Sequence, residues 1–439
     1  MIGDDEEPQP LVSTEPKGKL GPQPWTTSAE TKALIAALTA GGAAVRFVGG
    51  CVRDALAHRP VTDIDIATPD RPERVMELLA AAGIRAIPTG IDHGTVTALI
   101  GRTKYEITTL RCDVETDGRR ARVRFTDDWI EDARRRDFTI NAMSCNPEGD
   151  IYDPFGGLED LGHGRILFVG RAKDRIEEDL LRMLRYFRFY GSHGRPPPDI
   201  EALNACRDLA PRLAELSGER VRDEFFKILL GKTPAEIVGL MRGERLLDGM
   251  LPGIRSDDLG RLRLVAWLET NAAKLPAVEP DPLRRLGALL TTDSAGAARV
   301  AERLRLSNAE RERLIRMMAP PAAISIALDE RAQRLALYEL GDVAVRDLAI
   351  LAWAGELAIA PRQPSAKATA WQALLTRTAT WARPVLPITG HDVQALGIPP
   401  GPKVGTLLEK VEAWWKDGDF RAGRSECLEQ LQILVRNSP

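Results

Sequence analysis

The sequence predicts an α+β fold: a small mixed-sheet domain near the N-terminus, followed by a long all-helical region. Three observations carry this. Between residues 29 and 160, strand-like alternating runs interleave with helix-period segments. From about residue 165 onward, Leu, Ala and Arg recur at i, i+3 and i+4 almost to the end. Aromatic residues make up only 5% of the chain, few for a large β-sandwich. At 439 residues the chain exceeds one ordinary domain.

The elements follow in order. Residues 1–28 read as a disordered tail: an acidic run, Gly3-Asp4-Asp5-Glu6-Glu7, leads into Pro-rich sequence to Pro24. That acidity speaks against a signal or transit peptide. A helix over Ala29–Ala40 precedes a strand over Ala44–Val48. Gly49-Gly50 breaks the strand, and a helix over Cys51–Ala57 follows. A short strand carries Asp63-Ile64-Asp65-Ile66, and an amphipathic helix covers Pro72–Ala82. Strands over Thr95–Ile100 and Tyr105–Thr109 join through the turn-like Gly101-Arg102-Thr103-Lys104. Residues 111–128, rich in Asp, Arg and Thr, read as a mobile loop. The helical region is punctuated by Pro196-Pro197-Pro198, Pro252, Pro280-Asp281-Pro282 and Pro320-Pro321. Arg362–Lys367 reads as a linker before a last small helical unit.

Composition narrows the function. With 60 basic and 63 acidic residues the formal net charge is −3. That excludes a uniformly basic nucleic-acid binder, but not one whose basic charge is gathered on one face. Cys51, Cys112, Cys145, Cys206 and Cys427 are scattered and form no CxxC, which speaks against a disulfide framework or thiolate zinc site and for a reducing, cytoplasmic compartment. No apolar run approaches membrane-spanning length.

Three clusters carry chemistry. In Gly49-Gly50-Cys51-Val52-Arg53-Asp54, a strand, two glycines and a helix start make a phosphate-binding corner, with Arg53 one turn in. Asp63 and Asp65, two apart on a strand, place both carboxylates on one side. Like charges so placed repel unless a cation lies between them, and oxygen ligands suit Mg²⁺. Glu106, on a later strand, is a candidate third carboxylate; the alternative is an exposed strand glutamate. The second cluster, Arg134-Arg135-Arg136-Asp137-Phe138-Thr139-Ile140-Asn141-Ala142, offers three arginines, of which one could close on a triphosphate. In the third, Glu178 to Phe189, helical spacing puts Leu180, Leu184 and Phe187 on an apolar stripe and Arg182, Arg185 and Arg188 along the other side. Asp179 and Arg182 are then neighbours at i, i+3, which a plain surface salt bridge would also explain.

Together these clusters resemble the class II tRNA nucleotidyltransferases and bacterial poly(A) polymerases of the polymerase-β-like superfamily. The matching segments are GGCVRD, DID, RRDFTINAM, YDPFGGLEDL (Tyr152–Leu161), EDLLRMLRYFRF and SGERVRDEF (Ser217–Phe225), in the family's order. The resemblance is strong over roughly residues 45–230; further on it rests on Pro387-Ile388-Thr389-Gly390 and Gly397–Pro402.

It implies a nucleotidyltransferase head (29–160), a helical neck bearing a nucleotide-base reader (161–230), a helical body (231–361) and a tRNA-binding tail (362–439). Asp63 and Asp65 would hold catalytic Mg²⁺, with Glu106 beside them. Gly49, Gly50, Arg53 and Arg136 would contact the nucleotide phosphates. Asp179 and Arg182 would read the base, Glu178 would orient them, and Arg185 and Arg188 would contact the triphosphate or support the reader. YDPFGGLEDL and SGERVRDEF would be structural. The sequence around 116–129 is more similar to that of CCA-adding enzymes, which act on a tRNA lacking its 3′ CCA with CTP and ATP as substrates. The alternatives are a poly(A) polymerase, an enzyme adding only CC or only A, or a catalytically silent RNA-binding protein.

Overall fold

The structure is a computed structural model and describes residues 13–117, 120–251, 255, 258–272 and 278–437. The chain divides into two compact units, Met1–Gly253 and Ile254–Pro439.

The strands of the first unit are β1 (Pro16–Lys19), β2 (Arg46–Val48), β3 (Ile64–Thr68), β4 (Arg85–Gly90), β5 (Thr95–Ile100), β6 (Thr103–Thr109), β7 (Arg111–Asp117), β8 (Arg120–Phe125), β9 (Ser144–Cys145) and β10 (Asp150–Tyr152). Eight of them form one mixed sheet in the order β1-β10-β9-β2-β3-β6-β5-β4. Only β3 and β6 run parallel, with Asp65 opposite Glu106 and Ile66 opposite Ile107. The alternation of β3 is decisive. Ile64 and Ile66 enter a core shared with Phe47, Val52, Leu79, Tyr105 and Ile107, so Asp63 and Asp65 are left to the other face.

The helices of this unit are α1 (Pro24–Thr27), α2 (Ala29–Thr39), α3 (Gly50–Leu56), α4 (Pro72–Ala81), α5 (Trp129–Arg134), α6 (Gly157–His163), α7 (Ala172–Glu178), α8 (Leu181–His193), α9 (Ile200–Leu209), α10 (Gly218–Leu229), α11 (Pro234–Gly243) and α12 (Leu246–Met250). Local chemistry starts several of them. The Ser28 hydroxyl accepts from the Thr31 amide at 3.1 Å, and α4 begins on Pro72. In YDPFGGLEDL, the buried Asp153 carboxylate takes the Gly157 and Leu158 amides at 2.7 and 3.0 Å, which fixes the start of α6.

Three expectations are corrected here. Residues 16–27 fall in the tail expected to be disordered, yet β1 pairs antiparallel with β10 and α1 follows. Residues 1–12 of that expected tail lie outside the described residues. The expected loop over 111–128 is mostly a hairpin: β7 and β8 pair antiparallel from Arg111↔Phe125 to Asp117↔Arg120. Charged residues occupy both strands, so no apolar alternation announced it. Finally, Glu178–Phe189 is not one helix. The chain turns extended at Asp179 (φ −151°, ψ 105°) between α7 and α8.

The second unit is helical: α13 (Leu259–Trp267), a π-helical stretch Leu268–Ala272, α14 (Pro282–Leu289), α15 (Ser294–Arg303), α16 (Asn308–Met318), α17 (Glu330–Leu340), α18 (Asp342–Ile359), α19 (Ser365–Thr380), α20 (Gly390–Ala395), α21 (Pro402–Asp417) and α22 (Arg424–Arg436). The expected linker at Arg362–Lys367 is only partly a linker: Ser365–Lys367 already belong to α19, and α18 and α19 pack together. Trp353 and Trp371 stack with centroids 6.2 Å apart. Tyr338, Val393, Leu407, Val411, Trp415 and Leu431 form a separate cluster at the C-terminal end. Among the described residues, no helix is long and apolar enough to cross a membrane.

Candidate active site

The corner between β2 and α3 is built on Gly49, which adopts φ +67°, ψ −120° and whose amide donates to the Met143 carbonyl at 3.1 Å. A side chain there meets two obstacles: a backbone conformation essentially reserved for glycine, and Arg136 Nη1 at 2.8 Å from an added Cβ. Gly49→Ala is expected to cost about 1–3 kcal/mol in strain and to push Arg136 aside. An unchanged urea midpoint would remove this argument.

One turn into α3, Arg53 is almost fully buried. It donates to Asp54 through Nε (2.9 Å) and Nη2 (2.8 Å), and to Asn141 Oδ1 through Nη1 (2.6 Å). Asn141 in turn donates to Asp137 Oδ1 at 2.9 Å. Asp137 also accepts from Arg185 Nε at 2.7 Å. A single relay thus runs from α3 through the 137–141 turn to α8. Burial acts to raise the Asp137 pKa, but Arg185 and Asn141 outweigh it and hold the carboxyl below its ordinary range.

The other arginines are fixed in the same way. Asp132, buried on α5, takes Arg135 Nε at 2.9 Å and Arg136 Nη2 at 3.2 Å. Arg188 donates to the buried Glu224 of α10 at 2.6 Å. Arg182 donates to Glu178 at 2.7 Å, to the Arg175 carbonyl at 3.0 Å and to the Arg135 carbonyl at 3.2 Å. Each carboxylate or carbonyl uses part of a five-donor guanidinium and fixes its plane. Asp179 takes a different partner from the one spacing suggested: Arg220 of α10, whose Nη2 lies 3.0 and 2.8 Å from its two oxygens.

Asp54 is held at a pKa of about 2: burial pushes it up, while hydrogen bonds from His193 and Arg53 prevail. Its folded pKa lies below the ordinary carboxylate value. Its contribution to stability is therefore complete above about pH 4 and lost as pH falls towards 2. Asp54→Asn should flatten stability-versus-pH in that window; an identical profile would contradict the assignment.

These elements enclose a cavity of about 690 Å³. It is lined by Gly49, Gly50, Arg53, Asp63, Asp65, Arg136, Asp179, Arg182, Arg185 and Arg188, so nearly every residue singled out by sequence meets in one place. Arg135, Asp137, Asn141 and Arg220 line it as well. Of the three consecutive arginines, Arg135 and Arg136 are inside and Arg134 is exposed. Glu106 is not among the lining residues; it shares the face of Asp65 one strand away and pairs with Lys104 at 2.5 Å. Sequence reasoning missed the anchoring roles of Asp132, Asp137, Asn141 and Glu224. It had set Arg220 aside as part of a structural motif.

The donor set fits a hard divalent cation. Asp63 and Asp65 offer carboxylate oxygens at the cavity wall. Burial raises the Asp65 pKa, and Glu106 and Asp63 add to it against Arg136 and Lys104, so its anion lacks full compensation from the protein. Among the described residues, no three acidic, imidazole or thiol groups stand close enough to hold an ion alone. Two carboxylates completed by substrate phosphates is a common arrangement for Mg²⁺.

Residues 45–167 match the family described as "Poly A polymerase head domain", and residues 198–257 match "Probable RNA and SrmB- binding site of polymerase A". The CCA tRNA nucleotidyltransferase 1, mitochondrial, of Danio rerio is 34% identical over 397 residues, covering 88% of this chain and 86% of that protein. The chain belongs to the CCA tRNA nucleotidyltransferase family. The Homo sapiens member is equally similar, at 34% over 398 residues, again covering 88% of this chain and 86% of its own. The family's fold is present throughout. The Bacillus stearothermophilus CCA-adding enzyme in complex with CTP superposes with a TM-score of 0.71 at 27% identity, covering 93% of this chain and 97% of that one. As a family member the chain is a nucleotidyltransferase, a class that generally uses divalent metal ions.

Proposed function

We propose that the chain is a CCA-adding enzyme, transferring two CMP units and one AMP from CTP and ATP to a tRNA that lacks its 3′ CCA, with release of pyrophosphate. The observation that carries this reading is the shared cavity, where the glycine corner, the aspartate pair and the arginine-rich wall meet.

In this reading Asp63 and Asp65 hold Mg²⁺, with Glu106 as a further carboxylate on the same face. A cation held by these carboxylates would supply positive charge against the negative charge that develops during transfer. The chain's own residues do the positioning. Gly49 and Gly50 let the backbone approach the phosphates, and Arg53 and Arg136, both in contact with Asn141, donate to them. Arg185 and Arg188, held by Asp137 and Glu224, extend that positive wall. The carboxylates are set before substrate arrives, so little reorganisation is needed during transfer.

Asp179 and Arg182 supply the base reader. Cytosine and adenine each present an exocyclic amine beside a ring-nitrogen acceptor; uracil and guanine present a carbonyl beside an N–H. A carboxylate accepting the amine and a guanidinium donating to the ring nitrogen fit the first pair. They leave polar groups unmatched with the second, at a cost of about 1–3 kcal/mol each. Glu178 holds the Arg182 guanidinium in place. No nucleic-acid template is required.

Residues 362–439 would hold the tRNA by shape and phosphate contacts. We place the reaction in the cytoplasm, where the five free cysteines would stay reduced. Cell fractionation separates this from the mitochondrial compartment that the animal relatives' names carry.

The β7–β8 hairpin stands beside Asp132, whose Oδ1 accepts the Arg111 amide at 3.3 Å. It is thereby linked to Arg135 and Arg136. Deleting residues 114–121 is expected to spare CMP addition and impair AMP addition. Equal loss of both would refute a part in the switch from C to A.

The test of the function uses purified protein, Mg²⁺ and a tRNA lacking 3′ CCA. CTP alone should extend the tRNA by two residues, and a third should appear only when ATP is added. A long A tract from ATP alone would identify a poly(A) polymerase instead. No incorporation under any condition would overturn the catalytic reading.

A further inference from the structure

The SGERVRDEF segment, which opens α10, was expected to serve only the fold. Its third residue after the serine tells otherwise. Arg220 lines the cavity and places one guanidinium nitrogen between the two oxygens of Asp179, 3.0 Å from Oδ1 and 2.8 Å from Oδ2. Both side chains are a little over a quarter exposed, so neither is sealed in the core. Elsewhere in the cavity the pattern is reversed. Asp137 and Glu224 are buried, and the arginines they hold, Arg185 and Arg188, line the wall. At Asp179 the carboxylate itself faces the cavity, and the arginine is the anchor.

The hydrogen-bond count at Asp179 defines what the anchor leaves open. Oδ1 accepts from the Leu181 amide at 3.1 Å and from Arg220. Oδ2 accepts from Arg220 alone among the described residues. A carboxylate oxygen can accept about two hydrogen bonds, so Oδ2 keeps one acceptor position. The backbone is extended at Asp179, at the gap between α7 and α8, and does not fix the side chain by itself. The Leu181 amide and Arg220 together set the plane of the carboxylate.

We propose that Arg220 is a positioning residue for base selection: it holds the Asp179 carboxylate oriented so that the remaining acceptor site on Oδ2 meets an exocyclic amine. This rests on the reading of Asp179 as part of the base reader. An anion fixed as acceptor only has no proton to offer a carbonyl at that place. A carboxylate free to rotate would not hold that oxygen against the amine, and the distinction between cytosine and uracil would blur. Arg220 therefore contributes to which nucleotide is accepted more than to how fast an accepted one reacts.

The experiment measures kcat and KM for CTP and for UTP on a tRNA lacking its 3′ CCA, with the full-length protein. The variants are Arg220→Gln, Arg220→Lys, Asp179→Ala and the double variant Asp179→Ala/Arg220→Gln, each first shown to melt like wild type. Arg220→Gln should lower the CTP/UTP ratio of kcat/KM by about tenfold or more, with a smaller change in kcat for CTP. Arg220→Lys should restore part of the ratio, since charge returns without the planar fork. The double variant should select no worse than Asp179→Ala alone. A collapse of the ratio in Asp179→Ala together with an unchanged ratio in Arg220→Gln would overturn this inference and leave the base reader standing. An unchanged ratio in Asp179→Ala would overturn the reader itself and this inference with it. Equal losses on CTP and UTP in Arg220→Gln would reduce Arg220 to a structural part.

Discussion

Asp63→Ala is expected to lower nucleotide transfer by at least about a thousandfold, equivalent to about 4 kcal/mol of lost transition-state stabilisation, while the protein stays folded. The asymmetry follows from where Asp63 sits. It is exposed at the entry to β3, where it accepts from the Thr62 hydroxyl at 3.3 Å. Removing it leaves no cavity and orphans no buried partner. Its neighbours Ile64 and Ile66 carry the packing of the strand. The loss should therefore appear in single-turnover CMP incorporation and not in thermal unfolding. Asp65→Ala should match it in activity. Transfer within tenfold of wild type in both variants would mean that the aspartate pair is not the reacting centre.

The second large effect concerns stability and lies in the helical unit. Glu269, in the π-helical stretch after α13, is fully buried and accepts from Arg284 Nη1 and Arg285 Nε, each at 2.6 Å. Arg284 and Arg285 are themselves buried. Arg284 also donates to the buried Asp347 of α18 at 2.8 Å, and Asp347 accepts from Arg313 of α16 at 2.6 Å. Four helical segments are thus joined through one ionic network. Glu269→Ala takes away the carboxylate nearest two desolvated guanidinium groups. It should cost about 3–5 kcal/mol, because two buried guanidinium groups lose the carboxylate they share. Denaturant unfolding followed by tryptophan fluorescence should show the midpoint of this unit shifting down, with Trp353, Trp371 and Trp415 as reporters. Glu330→Ala is the control. Its own carboxylate is exposed where it meets Arg334 and Arg377, and the midpoint should stay in place. Equal shifts in the two variants would mean that the network is no stronger than a surface pair.

The two sites differ in how they could be read from the sequence. Asp63 and Asp65 were legible because a strand's period of two is a local rule, and the buried Ile64 and Ile66 fix which side is which. Gly49 was legible because its backbone conformation admits little else. The Glu269 network was not: its bonds span 15, 16, 63 and 34 residues, and each member alone looks like an ordinary charged helix residue. Small strands were lost for a related reason. β9 and β10 are two and three residues long and hold their place only by pairing in the sheet, and β4 contains Pro88 and ends on Gly90.

By itself the sequence determined the class of fold, the order of the motifs and about half of the residues at the cavity wall. Each of these depends on a local period, a turn residue or a run of a few positions. Only the tertiary structure decided the pairings: Arg185 with Asp137 across 48 residues, Arg188 with Glu224 across 36, and Asp179 with Arg220 across 41. Spacing on a helix favoured Arg182 for Asp179, but the break between α7 and α8 and the approach of α10 gave Asp179 to Arg220 and Arg182 to Glu178. A guanidinium binds whichever acceptor lies within about 3 Å in its plane. That choice is made by the packing of whole helices, which no short stretch of chain contains.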